Sequence, residues 1–157
     1  MNKIKGLIFD LDGVLVNTKK IHFDALNLAL KKVNAKEISF KDHLNIFDGL
    51  PTNKKLSILN DKKILNKKFN SKVIKIKQEY TLKLLNEFIK FNPKIYNTFL
   101  KLSKNYKISL ATNAVRKTLD LCVKKLRINK FISYSYSNED VSRNKPHPQV
   151  YLKCLVN

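Results

Sequence analysis

The spacing of apolar positions changes along the chain and predicts alternating element types. Residues Ile4 to Phe9 form a short, nearly continuous apolar run, the pattern of a strand buried on both faces. From Lys19 to about Phe91 the period becomes helical. His22, Leu26, Ala29 and Leu30 share one stripe, and Ile74, Lys77, Thr81, Leu84, Leu85 and Phe88 share another. Asn70-Ser71 predicts the N-cap of the second long helix, and Asn92-Pro93 its end. Beyond it the pattern predicts a helix over Ile95–Leu102, a strand over Tyr106–Ala111, a helix over Lys117–Leu126 and a strand over Phe131–Tyr136. A last helix opens at Pro148, with proline near its first position, and runs to Leu155.

This order predicts an α/β fold, a Rossmann-like parallel sheet with a helical insertion after its first strand. Residues 1–16 and 93–157 would build the sheet domain and residues 17–92 the insert. Each part is small for an independent core. After Tyr136 the pattern supplies one further helix and no further strand.

Composition narrows the class. With 43% hydrophobic and 28% charged residues, and only Gly 3 and Pro 4, the 157-residue chain reads as globular. No apolar run approaches the roughly 20 residues that span a bilayer. Leu7-Ile8-Phe9 stops at Asp10, too soon for a signal-peptide core, so the expected location is cytoplasmic, with no membrane partner. Cys122 and Cys154 have no metal-binding or redox spacing and read as two buried, reduced thiols.

The net charge of +20, from Lys+Arg 32 against Asp+Glu 12, raises the possibility of a nucleic-acid-binding module. Only Arg116, Arg127 and Arg143 are arginines, the residue suited to bidentate contacts with phosphate and guanine. The lysines spread over the whole chain, which favours a solvated basic surface and disfavours nucleic acid.

The candidate chemistry begins at Phe9-Asp10-Leu11-Asp12-Gly13-Val14-Leu15. In an extended segment Asp10 and Asp12 face the same way. They follow the first strand, at the end where open α/β sheets bind ligands. Two carboxylates this close repel unless one is protonated or a cation lies between them, which suits a Mg²⁺ site with a nucleophile and a proton donor. An Asp-Gly turn in a β-hairpin fits the same residues. Thr112 and Asn113 end the second core strand with a hydroxyl and an amide suited to phosphate oxygens. Lys145-Pro146 places an ammonium ahead of the last helix, held extended by the proline.

In this order, at successive strand ends, these residues resemble the haloacid dehalogenase superfamily, in its β-phosphoglucomutase-like and phosphoglycolate phosphatase-like branch with a helical cap. The resemblance runs from Lys5 to Asn157. It implies a Mg²⁺-dependent phosphomonoester hydrolase acting on a small phosphorylated metabolite, a sugar phosphate in particular. Asp10 would be the nucleophile that becomes an aspartyl-phosphate. Asp12 would be the general acid/base, its backbone carbonyl a Mg²⁺ ligand beside Asp10. Thr112 and Asn113 would hold the phosphoryl group, and Lys145 would neutralise it. Val14, Thr18 and His22 look like the sugar-phosphate branch, and Gly49 resembles the glycine of the cap's substrate loop.

The sequence departs from the pattern at three places. Asn17 stands where the branch often has Asp. Leu50-Pro51-Thr52 offers no Arg for a second phosphate, which leaves Lys77, or Lys54 and Lys55, as substitutes. The family's later acidic pair does not occur before Leu155-Val156-Asn157, so the expectation is a chain lacking the C-terminal part and a poor enzyme alone. A phosphosugar mutase would use the same residues, and a non-catalytic fragment also fits. A response-regulator receiver also combines such acids, a Thr and a Lys-Pro, and is disfavoured because no Asp ends the second or third strand and a long insert intervenes. His22 reads as a core histidine or a cleft residue, and Lys77 in itself as a solvated helix lysine. His43 and His147 read as surface residues, and the Phe and Tyr positions as mostly core.

Overall fold

The computed structural model describes residues 4–156. Met1–Lys3 and Asn157, the outer ends of the expected sheet segments, lie outside the described residues. Three strands, β1 (Gly6–Phe9), β2 (Lys107–Ala111) and β3 (Tyr134–Tyr136), form a parallel sheet in the order β1-β2-β3. The helices are α1 (Lys19–Lys31), α2 (Phe40–Asp42), α3 (Thr52–Asp61), α4 (Asn70–Phe88), α5 (Pro93–Leu102), α6 (Arg116–Leu126) and α7 (Gln149–Val156). A π-helical turn, His43–Phe47, continues α2.

Two compact units emerge, one holding residues up to Asn17 and from Asn86 onward, the other Thr18–Leu85. The first is the α/β unit. Ala111, Val150 and Cys154 form a buried cluster there, with Ile8, Tyr136 and Val141 packed against it. The second is wholly helical. Its core takes Leu26, Ala29 and Leu30 from α1, Phe47 from the π turn, Leu56 and Leu59 from α3 and Val73 from α4.

Several elements differ from the sequence expectation. β1 is an outer strand of the described sheet, so Leu7, Ile8 and Phe9 are half-buried, not covered on both faces. The third strand is shorter than expected because Asn129–Phe131 forms a 3-10 turn, which leaves Tyr134–Tyr136 for pairing. Asn70 does not cap α4. A 3-10 turn, Lys67–Phe69, precedes it, and Asn66 caps that turn by accepting from the Lys68 N–H at 3.1 Å. The buried stripe of α4 is Val73, Lys77, Thr81 and Leu85, an i,i+4 row, while Ile74 and Phe88 are exposed. Asn92 instead caps α5, accepting from Lys94 and Ile95 at 3.0 and 3.2 Å.

Three polar residues are also corrected. His43 is fully buried, with 0% exposure, and is not a surface residue. Lys77 is buried as well, since α4 turns it to the inner row. His147 is half-buried, and its Nδ1 accepts from the Gln149 N–H at 3.2 Å. Cys122 and Cys154 are buried and free, as expected.

Candidate active site

The site grows from the strand ends of the α/β unit. Phe9 pairs in register with Leu110, so Asp10 and Thr112 leave adjacent parallel strands at the same end. After Asp10 the chain does not form a hairpin, since the partner of β1 is the parallel strand β2. It makes a tight loop instead, in which Leu15 and Val16 N–H groups donate to the Leu11 carbonyl at 3.0 and 3.1 Å. Gly13 donates to the Val16 carbonyl at 2.8 Å and adopts φ +78°, a left-handed conformation that glycine takes without a Cβ penalty. Asp12 lies in this loop, joined to Val16 by a parallel bridge.

Lys145 Nζ lies 3.0 Å from Asp10 Oδ2, and the other Asp10 oxygen accepts the Leu11 N–H at 2.7 Å. The ammonium is nearly enclosed, with 12% of the side chain exposed against 40% for Asp10. It also sits 5.3 Å from the Tyr151 ring centroid, within cation–π range. Asn113 clamps the Lys145 backbone from both sides. Its Oδ1 accepts the Lys145 N–H at 3.1 Å, and its Nδ2 donates to the Lys145 carbonyl at 3.3 Å. Thr112 is buried, its N–H donates to the Tyr136 carbonyl at 3.0 Å, and its Oγ1 accepts from Ala114 at 3.0 Å. Accepting leaves the Thr112 O–H able to donate.

Beside this cluster lies a network that the sequence reading missed. The Arg116 guanidinium donates to the Ser135 carbonyl at 2.8 Å and to the Asp140 carboxylate. Ser137 donates to the same carboxylate from its N–H and its hydroxyl, both at 2.6 Å. Burial alone would raise the Asp140 carboxyl, but the Ser137 hydrogen bonds and the Arg116 charge override it and hold the pKa below the usual value. The signal was present, because Ser137-Asn138-Glu139-Asp140 is a capping-box pattern.

The thiols are poor nucleophiles. Burial, helped by the Asp12 charge, pushes Cys122 up to about 12, and burial raises Cys154 against the opposing Lys145 charge.

The remaining candidates belong to the helical unit. Thr18 is buried at the start of α1 and its carbonyl accepts the His22 N–H at 2.8 Å. His22 is half-buried, and Gly49 is exposed with φ +72°, its N–H donating to Asp48 Oδ1 at 3.1 Å. Lys77 and Lys55 are both buried lysines. Asp10, Thr112, Asn113 and Lys145 therefore gather at one strand end, and Thr18, His22, Gly49 and Lys77 are placed in the other unit. Among the described residues no group of three or more His, Cys, Asp or Glu side chains could hold a metal ion. Among them, too, no helix is long and apolar enough to cross a membrane.

The haloacid dehalogenase-like hydrolase family model matches residues 7–157. The chain belongs to that family. As a haloacid dehalogenase-like hydrolase it is 25% identical over 154 residues to the pyrophosphatase PpaX of Bacillus mycoides, covering 98% of this chain and 68% of that one. A predicted phosphoglycolate phosphatase from Haemophilus somnus 129pt superposes with TM-score 0.82 at 21% identity, covering 99% of this chain and 72% of the other. A β-phosphoglucomutase from Clostridium difficile superposes with TM-score 0.77 at 23% identity, covering 96% and 69%. These two structures share the fold, and membership of the family makes this chain a hydrolase of the haloacid dehalogenase-like kind.

Proposed function

We propose that this chain hydrolyses small phosphomonoesters, sugar phosphates in particular, with Asp10 as nucleophile and Mg²⁺ as cofactor. The observation that carries the reading is the Lys145 ammonium held 3.0 Å from Asp10 by the Asn113 clamp. An ammonium fixed there offsets the charge of a carboxylate and an approaching phosphoryl group together.

In the first step an Asp10 oxygen attacks phosphorus, the ester P–O bond breaks, and protonated Asp12 gives its proton to the leaving oxygen. An aspartyl-phosphate remains on Asp10. In the second step Asp12, now a carboxylate, takes a proton from water as that water attacks phosphorus. The Asp10–phosphorus bond breaks, inorganic phosphate leaves, and the Asp10 carboxylate is restored. The Thr112 hydroxyl and the Asn113 backbone hold the phosphoryl oxygens throughout. The donors fit Mg²⁺ in kind, because Asp10 and Asp12 present hard oxygens at a partly exposed strand end, and this ion uses one or two carboxylates with waters and substrate phosphate. The Asp10 carboxylate and the Asp12 carbonyl would hold it, and it would supply further charge neutralisation.

The helical unit, with Thr18, His22, Gly49 and Lys77, is on this reading the cap that selects the substrate. Lys77 and Lys55 suit a second anionic group there.

The test is phosphate release from a panel of sugar phosphates with Mg²⁺ and with EDTA. Asp10→Asn is expected to lower turnover by about 10³-fold or more, since an amide is not a nucleophile. Undiminished release by that variant would sink the proposal. A substrate isomerised without phosphate release would redirect it to a mutase.

A further inference from the structure

The opposite end of the sheet, where the strands begin, has a different chemistry. An open cleft of about 530 Å³ lies there, with Lys5 ahead of β1, Tyr106 and Lys107 at the start of β2, and Lys130 and Ser133 ahead of β3. A second cleft of about 450 Å³ is lined by Lys90, Phe91, Lys124 and Arg127. No Asp or Glu lines either cleft. For a chain with Asp+Glu 12, that leaves the positive charge of this face uncompensated locally.

A row of rings joins the two clefts. Phe91 and Tyr96 have centroids 5.6 Å apart, and Tyr96 and Phe131 5.2 Å apart, both edge-to-face. Cations alternate with them. Arg127 lies 5.0 Å from the Phe91 centroid, and Lys130 Nζ lies 5.2 Å from both the Tyr96 and the Phe131 centroids. The fold builds this row from distant parts of the chain. Phe91 precedes α5, Tyr96 lies on it, Arg127 takes the left-handed position that closes α6, and Lys130 and Phe131 form the 3-10 turn before β3.

We propose that this basic and aromatic face binds single-stranded nucleic acid. Lysines and an arginine flanking a row of rings, with Phe91 exposed and Tyr96 and Phe131 half-buried, match a strand that presents a phosphate and a stackable base at every step. Phosphates would follow the two acid-free clefts, and a base would stack at the exposed Phe91, beside the Arg127 guanidinium. A duplex fits less well, because its bases are already stacked and its grooves call for a protruding helix or ribbon that this face lacks. The inference reverses the expectation drawn from lysines spread evenly in sequence. It is independent of the phosphatase reading, since Asp10 and Lys145 lie at the other end of the strands.

The test is fluorescence anisotropy with the full chain and a labelled oligonucleotide of about 12 residues, as DNA and as RNA, over roughly 50–200 mM KCl. The probe lacks terminal phosphates, so it offers the Asp10 end no monoester. Arg127→Glu/Lys130→Glu is expected to weaken binding about tenfold or more and to reduce the log–log salt slope by roughly 1 to 2. Lys67→Glu/Lys68→Glu changes the net charge equally in the helical unit, where Lys68 also lies over a ring, at 5.1 Å from the Phe69 centroid. It is expected to weaken binding only a few-fold. Phe91→Leu keeps the apolar bulk at a position that is 42% exposed and is expected to cost several-fold without changing the salt slope. Equal losses from the two charge variants would show diffuse attraction and overturn the proposal. So would unchanged binding by Phe91→Leu, or no binding at the lowest salt.

Discussion

A polar cluster in the α/β unit and a histidine in the helical unit show two different ways of enclosing a titratable side chain. In the α/β unit the ammonium of Lys145 meets a carboxylate and a ring while Asn113 clamps its backbone, and the carboxylate of Asp140 meets Ser137 and Arg116. In the helical unit His43 sits on the π-helical turn against the rings of Phe23 and Phe40, at 5.5 and 6.1 Å. Both of its ring nitrogens are buried without a hydrogen-bond partner of ordinary geometry, and the Lys19 backbone acts on the ring only as a weak opposing influence. Burial, then the Lys55 charge and more weakly His22, hold its pKa below 6.5, with Asp48 opposing them. In the first case hydrogen bonds and an arginine charge hold the Asp140 carboxyl low. A boxed histidine stays neutral and makes its surroundings acid-sensitive.

The largest effect should come from breaking the pairing in the α/β unit. Lys145→Met keeps the length and much of the apolar stem but leaves Asp10 without its cation. Turnover of a phosphomonoester is expected to fall by about 10² to 10³-fold with the fold retained, as initial rates and circular dichroism would show. A loss of less than about tenfold would mean that the ammonium is structural.

A smaller loss should follow Asn113→Ala. Two hydrogen bonds to the Lys145 backbone disappear while the Asp10–Lys145 pair stays chemically intact. The ammonium is then positioned less tightly, and turnover is expected to fall roughly tenfold. Asn113→Asp keeps the acceptor for the Lys145 N–H, so it should restore part of the rate if the clamp is what matters. Equal rates for the two variants would detach Asn113 from Lys145.

The smallest effects are in stability, and they separate the two units by pH. A histidine with a lowered folded pKa gives stability that is fully present above the unfolded value of 6.5 and is lost as the pH falls through the folded value. A carboxyl with a lowered pKa gives stability present above its unfolded value of 3.8 and lost as the pH falls through the folded one. Thermal melts are therefore expected to fall in two windows on acidification, the first from His43 and the second from Asp140. His43→Leu should flatten the first window alone, and Arg116→Met the second alone. Identical pH profiles for wild type and His43→Leu would show that His43 is not the acid-sensitive group.

The sequence by itself determined the alternation of strands and helices and, through its motifs, the hydrolase family. The places of Asp10, Asp12, Thr112 and Lys145 in the fold were legible because each follows a strand or precedes a helix, and a parallel strand places the residue after it at a predictable end. Hydrophobic period likewise located the start of α1 and the bounds of α5, α6 and β2 to within a residue or two. It found Lys77, Thr81 and Leu85 of the buried row of α4 but took Ile74 for Val73 and added the exposed Phe88, and it lengthened β3, because a short apolar run does not say where pairing stops. Tertiary structure decided the rest, and in each case the reason is contact between residues far apart in sequence. The Asn113 clamp on Lys145 spans 32 positions, and the Arg116 contact with Asp140 spans 24. His43 looked like a surface residue because its polarity is local, whereas its burial depends on Phe23 and on packing from the rest of the helical unit. The row from Phe91 to Lys130 is likewise assembled only when α5, α6 and the turn before β3 meet at one end of the sheet.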